Sequence, residues 1–186
     1  MGNLAVLDKI IARQGDQIVS SEVPPQELVI CKGSQVEFEA IFKPDISCGV
    51  TWHKEKVDDG VTEEIGVGKS ISHTFTEAGK YLVRGEGGGT SKEVWVVVVD
   101  IEISRIEYVC VGASEDFIIT VSGTTEPVTV TLSATGGGGI TLSEEIITEG
   151  GTPNIGRTKV TGVSASDTID DVLITASLNG FVCAME

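Results

Sequence analysis

Residues 35–42 read QVEFEAIF, with Val36, Phe38 and Ala40 on one side of an extended backbone and Glu37 and Glu39 on the other. Successive side chains of a strand point to opposite faces, so this alternation predicts a strand with one face buried and one wet. Further strands are predicted at 28–31, 50–54, 70–76, 80–86 and 92–99. Turn signals separate them: Lys32-Gly33-Ser34, Lys43-Pro44-Asp45, Asp58-Asp59-Gly60, Glu77-Ala78-Gly79 and Gly87-Gly88-Gly89. Short strands at such intervals indicate a sandwich or barrel. Helical periodicity is weak throughout; the one candidate, 4–11, reads equally well as a strand.

A second series of strands is predicted at 103–109, 116–122, 128–133, 140–142, 145–147, 157–160, 171–178 and 181–185. The last two flank Asn179-Gly180, a two-residue hairpin turn whose positions both tolerate positive φ. The two series are related. ICKGSQVEF at 30–38 matches VCVGASEDF at 109–117, each with Cys-x-Gly, a small residue and a Phe at the same offset. The spacing from Cys31 to Cys110 is that of one small β-sandwich, so the chain is predicted to be all-β with two tandem modules. The expected division is an N-terminal segment 1–26 packing on the first module, a first sandwich 27–100 and a second 101–186. Almost no linker separates the modules, which favours close stacking over free tethering.

The first module resembles a PKD-type, immunoglobulin-like bacterial domain. The resemblance rests on Val36-x-Phe38-x-Ala40, Val50-x-Trp52, 70–75, Glu77-Ala78-Gly79-x-Tyr81-x-Val83 and Val94-x-Val96-x-Val98, and covers roughly residues 27 to 99. WHKEKVDDG stands where that family usually writes a Trp-x-Phe-Gly-Asp-Gly-like stretch. The resemblance implies that Trp52 lies in the core and that HTFTEAGKYLV at 73–83 forms a corner. There Gly79 would turn the chain and Tyr81 would offer its hydroxyl to backbone. The second module lacks the Trp and Tyr markers and resembles generic bacterial immunoglobulin-like repeats.

Net charge changes the picture of partners. The 186-residue chain carries −15 at pH 7, with a sequence pI of about 4.4. Such a surface repels nucleic-acid phosphates and anionic headgroups. No apolar run approaches the ~20 residues of a membrane helix, so no membrane insertion is expected. The start, MGNLAVLDKIIARQ, is too short in its apolar part and too mixed in charge for a secretory signal. Two routes are then expected: a signal removed ahead of Met1-Gly2, or export inside a particle.

Four cysteines allow three pairings. A predicted strand of about eight residues at ~3.3 Å each separates Cys31 from Cys48. A disulfide needs Cα atoms within about 7 Å, so that pair is disfavoured. Cys110 and Cys183 are the candidate disulfide, because first and last strands often run side by side; the alternative is buried free thiols. His53 and His73 form no metal or catalytic spacing and read as surface histidines. GEGGGT and TGGGGIT lack the Gly-Lys-Ser/Thr ending of a phosphate loop and read as hairpin loops. Asp58, Asp59 and Glu63, and separately Asp167, Asp170 and Asp171, are candidates for a structural Ca²⁺, set against plain solvated charge. No other cofactor is expected.

One stretch points to a partner. In EVWVVVVD, 93–100, Val94, Val96 and Val98 should face the core, leaving Trp95, Val97 and Val99 on an outer face that is not polar. A cover is expected, from residues 4–11, from the second module or from another protein. The leading functional expectation is a non-enzymatic structural or interaction protein. It would be extracellular or particle-associated, in a phage-like or contractile injection assembly, with a protein partner or self-assembly. The second expectation is a surface adhesion module binding glycan or protein. An enzyme or toxin cargo is the third, since no catalytic constellation supports it.

Overall fold

A computed structural model describes residues 5–22, 26–45, 48–106, 108–136, 139–164 and 172–185. The chain forms two compact units, Met1–Val98 and Val99–Glu186, and all regular elements among the described residues are strands.

In unit 1 the strands are β1 (Val6–Gln14), β2 (Gln17–Ser20), β3 (Glu27–Cys31), β4 (Gln35–Lys43), β5 (Thr51–Lys56), β6 (Val61–Val67), β7 (Ser70–Thr74), β8 (Gly79–Gly87) and the first part of β9 (Thr90–Ile103). One sheet has the order β2-β1-β4-β7; the other runs β9-β8-β5-β6, with β3 also on β9. The inward residues of the two sheets form one core that includes Val36, Phe38, Ala40, Val83, Val94 and Val96. The segment read equally as helix or strand is a strand, because β1 gains backbone partners on both sides, β2 and β4. Leu7, Ile10 and Ala12 of β1 are buried in this core, so the N-terminal segment is built into the first sheet.

Two features mark unit 1 as immunoglobulin-like. Trp52 on β5 is fully buried; it lies 5.8 Å from the Phe38 ring and donates its Nε1 hydrogen to the Gly68 carbonyl at 2.8 Å. A Cβ on Gly85, its cross-strand partner, would sit 3.0 Å from the Trp52 ring, so a residue without a side chain makes that room. At the corner before β8, Tyr81 Oη donates to the Glu77 carbonyl at 3.0 Å, which is the tyrosine corner of this fold. Gly79 enters β8 at φ 147°, and a Cβ there would lie 2.8 Å from Cε of Lys56.

The chain passes into unit 2 within β9, whose residues Asp100–Ile103 pair with β10. The strand expected at 103–109 does not form: β9 ends at Ile103, and 104–106 and 108–110 run outside any strand. The remaining strands are β10 (Ser114–Ser122), β11 (Thr129–Thr135), β12 (Gly139–Thr141), β13 (Glu145–Ile147), β14 (Asn154–Ser164), β15 (Leu173–Leu178) and β16 (Phe181–Met185). In this unit β12-β14-β10-β9 faces a second sheet, β13-β11-β15-β16. Phe117, Ile119, Leu132, Val160 and Ala176 are buried in it. The β15–β16 hairpin turns at Asn179 (φ 50°) and Gly180 (φ 84°), as the Asn-Gly pair predicts. Asn154 is buried and fully used: its Oδ1 accepts from Gly150 N at 2.9 Å, and its Nδ2 donates to the Glu126 carbonyl at 2.7 Å. It therefore ties the loop before β11 to the loop before β14.

Replacing Tyr81 by Phe removes one hydrogen bond and leaves the ring. The expected loss is about 1 kcal/mol. It should be read as a lowered urea midpoint in Trp fluorescence, because Trp52 and Trp95 both lie in unit 1. Asn154→Ala removes the side-chain hydrogen bonds to the part-buried backbone groups of Gly150 and Glu126 and should cost about 1–2 kcal/mol by far-UV circular dichroism.

Candidate functional site

Strand parity builds a charged cluster in unit 1. Trp52, Lys54 and Lys56 lie on the same face of β5, so the face that buries the indole also carries two ammonium groups inward. Lys54 Nζ lies 3.1 Å from Glu63 Oε2 on β6 and 3.2 Å from His73 Nε2 on β7, and 6.0 Å from the Tyr81 ring centroid. Lys56 Nζ lies 3.1 Å from Glu77 and 3.8 Å from Asp59. Both lysine side chains are largely covered, whereas the three carboxylates reach into solvent. The stems line the end of the core while the charges meet at its rim.

His73 does not face solvent. Its parity matches Ile71 and Phe75, and its ring stands edge-on to Phe75 at 5.0 Å and 88°. An ammonium has only hydrogens to give, so Nε2 accepts from Lys54 and the imidazole is neutral with its proton on Nδ1. Burial, then the Lys54 charge, hold its pKa below the ordinary 6.5, with Glu63 partly opposing. Burial likewise raises the Tyr81 phenol. The hydrogen bond to Glu77 raises Lys56. Chemically this is a set of mutually satisfied ion pairs that close one edge of the sandwich.

The expected sites fall elsewhere than predicted. Asp59 and Glu63 neutralise Lys56 and Lys54, and Asp58 is exposed in the β5–β6 turn. Among the described residues no three His, Cys, Asp or Glu side chains converge to hold a metal. Of the Ca²⁺ candidates Asp58, Asp59 and Glu63, the last two are paired with lysines. Asp167, Asp170 and Asp171 lie outside the described residues.

The Trp95 face is closed rather than open. Trp95 is half-buried, and Val97 and Val99 are 4% and 0% exposed. Lys80 Nζ lies 4.9 Å over the Trp95 ring, and Glu27 of β3 pairs with Lys80. Of the expected cover 4–11, the described residues 5–11 do not supply it, because β1 belongs to the other sheet and Leu7 and Ile10 point into the core.

The Cys110–Cys183 bond is not formed, for Cys110 is an exposed free thiol; Cys48 is also free. First and last strands of unit 2 lie in different sheets, since β9 pairs β10 while β16 pairs β15. Cys110 sits ahead of β10, where Val111 bridges Gly162 of β14.

An open groove of about 350 Å³ crosses the outer face of β1, β4 and β7. Arg13, Glu37, Glu39, Ser70 and Ser72 line it, and Arg13 Nη2 is engaged by Glu39 at 3.1 Å.

No family model matches the sequence, and no curated protein matches it. Among solved structures, the chain is similar to three N-terminal domains of the bacteriophage RB49 highly immunogenic outer capsid protein. The identity there is 12%, the TM-score is 0.41, and the match covers 98% of this chain and 67% of that one. It is also similar to domains 5–6 of the S-layer protein SbsC, with 12% identity, TM-score 0.31, and coverage of 98% and 96%. Invasin, a bacterial integrin-binding protein, shows 13% identity and TM-score 0.30, over 82% of this chain and 34% of its own.

The His73 pKa is depressed on folding, so its contribution is complete above about 6.5 and is lost as pH falls through the folded value. Over that window the unfolded chain takes up a proton that the folded ring refuses. The melting temperature of the wild type should therefore drop more steeply from pH 7 to pH 5 than that of His73→Gln, which keeps an acceptor for Lys54. Parallel slopes would remove His73 from the pH response.

Proposed function

We propose that this chain is a non-enzymatic structural and interaction protein, carried on or within an extracellular assembly such as a phage-like or contractile injection particle. The observation that supports it is the internal pairing of the charged cluster. Lys54, Lys56, Tyr81 and His73 are each engaged by a neighbour within unit 1, so these groups hold the sandwich together. Two sandwiches in tandem display sheet faces and loops for contact, which is what a spacer or docking module needs. We read the first unit as PKD-type, on the placement of Trp52 and the corner at Tyr81. The net charge of −15 favours protein partners over nucleic acid.

The test is location. Particles released by the producing cell should be banded on a density gradient and probed by mass spectrometry and immunogold electron microscopy. The chain is expected in the particle band after a high-salt wash. Labelling of the cell surface alone would support an adhesion module instead. A chain found only free inside the cell would overturn both readings.

A further inference from the structure

In unit 2, the outer face of the sheet β13-β11-β15-β16 is nearly without charge. The register arranges it in rows. Thr129 lies beside Ile147. Glu145, Thr131, Ser177 and Val182 follow one another across all four strands. Ser133, Thr175 and Met185 make the next row, and Thr135 lies beside Leu173. The partners of opposite parity, among them Val130, Leu132, Ile174 and Ala176, are buried, which fixes this as the outer face. Hydroxyl side chains occupy its middle. Four apolar side chains are exposed around them: Ile147 (65%), Leu173 (44%), Val182 (55%) and Met185 (62%). Among the described residues of these four strands' outer face, Glu145 alone is charged. Solvent-facing sheet surfaces ordinarily carry charge, as unit 1 does with Glu37, Glu39 and Arg13.

We infer that this face is a contact surface for a second copy of the same chain, a reading that rests on the assembly role proposed above. Charge selects the surface. A copy carrying −15 meets another carrying −15, and approach through a neutral face avoids setting carboxylates against each other. Hydrogen bonding fits a copy of itself. Each Ser or Thr hydroxyl both donates and accepts, so a two-fold contact pairs hydroxyls without a complementary partner set. Area sets the strength. Four strands at about 4.8 Å and about 3.3 Å per residue give a face of roughly 400 Å² per copy. The total of roughly 800 Å² is below the ~1,200 Å² of stable complexes. The contact is therefore weak for an isolated pair and effective where copies are held side by side in an array.

The test is sedimentation equilibrium of the full chain from roughly 10 μM to 1 mM, in low salt and in about 1 M NaCl, where the Debye length shrinks to about 3 Å. Wild type should dimerise weakly and more strongly in high salt, since salt screens the mutual repulsion. Thr131→Glu with Ser133→Glu should weaken association at least tenfold. Gln26→Glu with Gln35→Glu, which adds the same charge in unit 1, should leave it nearly intact; circular dichroism checks that both variants fold. Three outcomes overturn the inference: a monomer throughout in high salt, association indifferent to the Thr131 and Ser133 changes, or equal loss in the control. A monomer whose Thr131 and Thr175 amides shift with a neutral oligosaccharide also overturns it and assigns the face to sugar. A monomer still found in the particle band overturns this contact and leaves the proposed function standing. A dimer absent from particles does the reverse.

Discussion

Trp52 is sealed between the two sheets of the first unit, and the two-residue period of β5 carries that placement along the strand. With the indole inward, Lys54 and Lys56 must also turn inward, toward a region where an uncompensated ammonium is costly. Glu63, Asp59 and Glu77 answer from three different positions, and His73 and Tyr81 fill the space between them. Gly85 has no side chain because the ring needs that volume, and Gly79 has none because the Lys56 stem passes there. The corner hydrogen bond from Tyr81 then holds the turn that brings Glu77 to Lys56. Inward-pointing charge at the rim also discourages the edge strands β6 and β7 from pairing with other chains.

The second unit solves the same problem without Trp or a buried Tyr. Its core relies on aliphatic side chains and Phe117, and its loops are tied by polar groups inside the fold. Asn154 offers both ends of its amide to backbone, and Thr148 Oγ1 accepts from Val128 N at 2.8 Å. With its polar side chains so used inside, this unit presents hydroxyls and aliphatics on one broad sheet face. In a chain with 22% charged residues, that concentration of neutral surface is a property of one sheet.

Alternation was enough to read β4, β8 and the β15–β16 hairpin, where inward and outward residues differ plainly in character. The edge strand β6, VTEEIGV, escaped that reading because its side chains are exposed or half-exposed and no apolar face marks it. His73 could have been found: it shares parity with Ile71 and Phe75, and that signal was present in ISHTF. Asp59 is only three residues from Lys56, in the β5–β6 turn, but Glu63 and Glu77 were not legible, because they approach the lysines through pairing across β6 and through the turn before β8. The same holds for Cys110, a free thiol in the loop before β10, whose surroundings depend on sheet order.

The sequence by itself determined the all-β character, the tandem repeat, the inward faces and the turn at Asn179-Gly180. These follow from side-chain period, Gly and Asn backbone preferences and composition, all of which are local. Tertiary structure alone decided which strands became neighbours. From that came the burial of Val97 and Val99, the pairing of Glu77 with Lys56, and the assembly of Thr131, Ser177 and Val182 into one row. Each of these depends on residues far apart in the chain, whose meeting is set by sheet order and register.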